Sequence, residues 1–332
     1  MKLLTGRPPT NLRIRSILLK RLTLTALVVF RVLGFATISA SAGEITLPPE
    51  AKQAMAYIYG GHSDEAEPIA RSLEQQYPDH PLGFLLEAES EWWGIYCAAC
   101  EIKWRMVDDW DHGKRPSQDS YIALADKVIG LSQKQLAQSE TAEMHVYAGL
   151  GWALRARVFD ERDDHRNIAR SAVAARAEFV RALQVDPEMA DASAGLGLYD
   201  YYVDTLSPLV KLMRLLMRIP GGDRQEGIRL MREGIDHGVL FAVDTRYYLA
   251  KNLRTFDLKY QDALDVAQPL VQDYPNNPIF SLLAGNLNME LGRKDQATGF
   301  FNAAIANSLN YPRCEDRIRN IARAFLADLP FL

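Results

Sequence analysis

Cys97-Ala-Ala-Cys100 is the pair of side chains whose spacing most directly suggests chemistry. In an oxidising compartment two thiols this close readily pair, and a Cys-x-x-Cys can exchange electrons with another dithiol. No His follows Cys100, which excludes covalent haem attachment on that pattern. No second Cys pair exists, which excludes a four-cysteine zinc site. A redox enzyme would carry the motif after a strand, at a helix start. Here the surroundings read as mid-helix, with Trp93, Cys97, Cys100 and Trp104 on one side. The expectation is a local disulfide between Cys97 and Cys100, or buried thiols packed on indoles, with Cys314 left as a free thiol.

Other chemistry is sparse. There is no phosphate-cradling Gly-rich loop, no Gly-x-Ser-x-Gly elbow and no His-Glu metalloprotease pair. The six histidines are scattered, none paired at i, i+4. Asp108-Asp109-Asp111 and Asp160-Glu161-Asp163-Asp164 are read as solvated loop charge, because neither has the alternating oxygen ligands and Gly turn of a calcium loop. No catalytic residue, metal or cofactor is therefore expected. Four of the five tryptophans, Trp92, Trp93, Trp104 and Trp110, fall within twenty residues. Such aromatics anchor a ligand or fill an irregular junction, and Trp92 and Trp93 are the candidate partner contacts. Lys211, Arg214 and Arg218 form a basic stripe beside Leu, Met and Val over 206–219. That segment can lie on an anionic membrane. It can equally lie across the fold, burying its apolar side and leaving the stripe in water; burial is the favoured expectation.

These residues are positioned by helices. Strand-like alternation is lacking, and paired helical segments are punctuated by Gly and Pro. Around Ala263 runs Tyr260-Gln-Asp-Ala-Leu-Asp-Val-Ala-Gln-Pro-Leu-Val-Gln-Asp-Tyr-Pro275, and Gly292-Arg-Lys-Asp-Gln-Ala297 repeats the register 34 residues later. Tyr77-Pro-Asp-His-Pro81 echoes Tyr274-Pro-Asn-Asn-Pro278, and Ala175, Phe179, Ala182 and Pro187 fall at matching positions. The pattern resembles the tetratricopeptide repeat. The region around 206–228, with its inserted Pro-containing apolar helix and Gly222-Asp-Arg followed by Gly227-Ile, also resembles a eukaryotic branch of that family linked to clearance of protein inclusions. No activity is carried over from it.

The resemblance implies an all-α fold: a right-handed superhelical solenoid of helix hairpins over 43–311, with irregular inserted helices and a capping helix over 312–332. It also implies a concave groove that binds a peptide or protein. Asn252 and Asn286 stand at equivalent positions of successive repeats, where asparagine in peptide-binding members grips ligand backbone; the alternative, and the favoured one, is that both tie neighbouring helices together. Tyr248, Leu282 and Leu283 replace the basic residues of the family's carboxylate clamp, so capture of a free C-terminus is not expected.

Charge separates the first 42 residues from the rest. They hold seven Lys and Arg and no acid, whereas the whole chain has a formal charge of −4. The remainder is thus acidic, which argues against nucleic acid as ligand. The basic start, the apolar run from Leu22 and the small residues Ala40 and Ala42 read as a signal peptide cleaved after Ala42, directing the protein to a periplasm or the exterior. The alternative is an N-terminal membrane anchor. Three functions remain: a non-catalytic exported scaffold with a groove-bound partner, a peripheral membrane assembly factor docking through 206–219, and, last, a thiol–disulfide protein.

Overall fold

The computed structural model describes residues 45–115, 117–216 and 218–329. The segment 1–42 read as a signal peptide lies outside the described residues. Among the described residues fourteen α-helices and one two-stranded sheet follow in order. They are α1 (Pro49–Gly60), α2 (Ser63–Gln76), α3 (Leu82–Ala99), β1 (Cys100–Lys103), β2 (Met106–Asp109), α4 (Ser117–Leu136), α5 (Ala142–Glu161), α6 (His165–Val185), α7 (Ala190–Thr205) and α8 (Pro208–Leu216). The chain continues with α9 (Arg224–His237), α10 (Ala242–Thr255), α11 (Tyr260–Asp273), α12 (Pro278–Glu290), α13 (Lys294–Ala306) and α14 (Glu315–Asp328). The architecture is an all-α helical-repeat solenoid.

The helix boundaries follow local chemistry. Thr141, Asp164 and Asp223 each accept a backbone N–H from the first turn of the helix they precede, which satisfies donors that a helix start leaves orphaned. Asn277 caps α12 in the same way and also reaches across the molecule, its amide donating to the Tyr59 carbonyl at 2.9 Å. Ser63 opens α2, whose flanking residue is His62 and has no side-chain cap bond. Gly61 closes α1 at φ 87°, where a Cβ would press on the Tyr311 ring and on the backbone at Asn276. Only glycine fits that turn without strain.

Neighbouring helices pack through small residues. A Cβ on Gly197 of α7 would meet the Gly227 carbonyl of α9 at 2.7 Å, and the reverse holds equally. Helix α8 is looped out between these two.

The array curls until its first and last repeats touch. Every residue of α12 from Pro278 to Met289 is buried, and α3 is buried along most of its length. Trp93 sits between α1, α10 and α12, its ring edge-on to Tyr247 at 5.3 Å and to Phe280 at 5.5 Å. The Tyr59 hydroxyl of α1 donates to Asp244 of α10. The inner face of the solenoid is therefore filled by α3 and the β hairpin of the same chain.

Two expectations change here. The stretch from Trp93 to Trp104, read as helical, is not so throughout: α3 stops at Ala99, and β1 and β2 pair antiparallel with Cys100 opposite Asp109. The disulfide joins Cys97 to Cys314, not to Cys100; Cys100 is the free, buried cysteine. Chain closure explains the exchange, because curling brings the start of α14 onto the end of α3. There Arg317 donates to the Cys100 carbonyl at 2.6 Å.

Candidate functional site

The residues expected in a concave groove are buried, and the side-chain partners of Asn286, Tyr248 and Trp92 belong to the same chain. Asn286 donates to the Arg105 carbonyl at 2.8 Å and accepts from Arg254 at 3.2 Å. It grips a backbone carbonyl as a groove asparagine would, but the carbonyl belongs to the turn of the chain's own hairpin. Asn252 is fully buried, and its side-chain amide has no hydrogen-bond partner within the protein. Tyr248 accepts from the Trp92 indole at 3.1 Å. Trp92 and Trp93 are core residues, so neither offers a surface to a partner. In this closed form, burial takes all five from the role expected of them.

Beneath the hairpin lies a buried network of charge. Asp108 accepts from Lys251 at 2.7 Å and from Arg254 at 3.2 Å, and from the Tyr96 hydroxyl at 3.0 Å. Burial alone would raise its pKa; Lys251 and Arg254 outweigh that and hold it below the usual carboxylate range. Asp109 also pairs with Lys251, at 2.8 Å, yet burial and the adjacent Asp108 push it well up. The Cys100 thiol is raised too, first by burial and then by these carboxylates. A protonated, buried thiol is a poor nucleophile. A second network places Arg157 between Glu89 at 2.9 Å and Asp244 at 3.4 Å, with the guanidinium over the rings of Trp92, Phe241 and Tyr248. Both networks fasten elements far apart in sequence, and their groups are spent on one another. The carboxylate runs read as solvated loops are thus only partly so, with Asp108 and Glu161 buried.

Two features point outward. At the hairpin tip Trp104 and Arg105 have φ of 50° and 62°, the left-handed conformation that such turns normally give to Asn or Gly. For side chains with a Cβ this costs roughly 1–2 kcal/mol per residue. Asn286 and the Arg105–Glu290 ion pair at 3.3 Å hold the tip in place. The result is an indole 71% exposed, set edge-on to Trp110 at 5.3 Å, with the Lys103 ammonium over both rings. Sequence reading grouped Trp104 with the tryptophan cluster but placed it on a helix; the missing signal was the turn, because Trp-Arg carries no hairpin signature.

The second feature is α8. Burial of its apolar side was expected, and the structure reverses it. Leu209, Val210, Leu212, Met213, Leu215 and Leu216 are all exposed, and α8 has no buried residue. Its basic side faces the body instead. Lys211 bonds Asp204 at 2.8 Å, and Arg214 lies against Gly221. Arg218 follows the helix and is exposed.

A sequence model of the family described as tetratricopeptide repeat matches residues 258–312. Among solved structures, the chain is similar to the C-terminal part of a TPR repeat-containing protein from Cytophaga hutchinsonii. Identity there is 13%, coverage 78% of this chain and 79% of that one, and the TM-score 0.34. It is also similar to a human IFIT1 dimer solved with m7Gppp-AAAA, at 15% identity, with coverage of 87% and 66% and a TM-score of 0.32. A search of curated proteins finds no match.

Proposed function

Since this chain is a tetratricopeptide-repeat protein, a kind that commonly mediates protein–protein interaction, we propose that it is a non-catalytic, exported scaffold that holds a protein partner at the hairpin tip. The observation that carries this reading is Trp104, an exposed indole fixed by a strained, anchored turn. Rigid tryptophans lose little freedom on docking and dominate interface energetics. Backbone strain gathers where function requires a fixed presentation. Export rests on the basic and apolar start of the sequence. The concave groove is the weaker place for a partner, because Asn252, Asn286 and Tyr248 are covered by the chain's own hairpin and α3.

Capture of partners from periplasmic extract tests the reading, comparing the native protein with Trp104→Ala. Partners retained by the native protein should be lost by the variant, with binding weakened roughly thirtyfold or more, while the circular dichroism stays the same. Equal recovery by both proteins would remove Trp104 from the interface.

A further inference from the structure

We infer that α8 is a membrane-docking helix, lying in the headgroup region of an anionic bilayer with the repeat body above it. None of the residues at the hairpin tip takes part. The helix is amphipathic and mounted inside out: its polar side is turned to the protein and its apolar side to the surroundings. Leu215, Leu212, Leu216, Leu209, Met213 and Val210 sweep roughly 220° of the helix circumference, and each is exposed. A helix that fits a protein groove presents a narrow seam at i, i+3, i+4 and i+7. An arc wider than half the circumference suits a medium that wraps the helix from below, as acyl chains do.

Charge selects the kind of surface. Lys211 is paired with Asp204, whereas Arg214 and Arg218 have no carboxylate partner among the described residues. Past the end of the apolar arc the exposed Arg218 can reach sideways to lipid phosphates while its stem stays on apolar ground, and Arg214, lying against Gly221 at the edge of the arc, adds positive charge beside it. Among the described residues no helix is long and apolar enough to cross a membrane, so the contact is one of lying on, not spanning.

The test reads α8 locally, in the full chain. An environment-sensitive NBD label is placed at Leu212→Cys, with a control label at the exposed Gln272→Cys. Vesicles of phosphatidylcholine alone and of phosphatidylcholine with phosphatidylglycerol are then added. The Leu212 label should brighten, shift to the blue and be quenched by lipid-borne doxyl groups, more strongly with phosphatidylglycerol present; the control should stay unchanged. Adding Leu209→Asp and Leu216→Asp to the labelled chain should weaken partitioning by roughly a hundredfold, about tenfold per leucine. Arg214→Gln with Arg218→Gln should lower the preference for anionic vesicles by roughly fivefold per charge. Trp104→Ala should leave all of these signals intact, which separates this inference from the partner-binding proposal. A Leu212 label that still responds only to soluble iodide, or that changes only on adding a protein, would overturn it.

Discussion

Glu89 shows how single residues here carry more charge than their partners neutralise. One guanidinium, Arg157, serves both Glu89 and Asp244 in the interior. Burial is the largest influence on Glu89 and pushes its carboxyl up to about 7, against the pull of Arg157; Asp244 is raised for the same reason. An acid whose folded pKa lies above its unfolded value near ~4.3 contributes stability that is complete below that value. That contribution is lost as the pH rises through about 7. Thermal unfolding followed from about pH 5 to about pH 8 should therefore lose on the order of 2 kcal/mol, and Glu89→Gln should flatten the profile. A native profile that rises with pH over this range would contradict the assignment. None of this was legible in the sequence. Glu89 reads as an ordinary helical glutamate until α5 and α10 are packed against it.

The elements divide by how local their causes are. Helices bounded by Asx caps and by Pro or Gly, such as α6, α9 and α12, could be read directly, because their start and stop signals lie within a turn of their ends. The hairpin could not. Cys100 to Asp109 alternates too weakly, and its turn uses Trp-Arg, so its pairing depends on Lys251, Arg254 and Asn286 from distant helices. The orientation of α8 was equally hidden, since one amphipathic pattern serves a helix facing in or facing out. The clasp between α3 and α14 is a third such case. Counting cysteines favoured the nearest pair, but proximity in space is decided by closure of the whole array. Closing a loop with a sequence separation of 217 residues, the bridge should contribute about 2–5 kcal/mol. Peptide mapping without reductant should recover Cys97 joined to Cys314, and Cys314→Ser should unfold at correspondingly lower denaturant. Recovery of a Cys97–Cys100 peptide would reverse that pairing.

At the scale of the molecule, the repeats do to their own chain what an open solenoid would do to a ligand. Asn286 binds the carbonyl of the hairpin turn, and Tyr248, Lys251 and Arg254 supply a polar and charged inner wall, but hairpin and α3 occupy it. That leaves the outward features, Trp104 and α8, to meet other molecules. Hydrogen exchange of the native protein measures the filling of the inner face directly. Amides of β1, β2 and α12 should exchange only through global unfolding, as slowly as any in the protein. Exchange of the hairpin amides within seconds, with α12 protected, would mean that the groove is open and the hairpin is not its occupant.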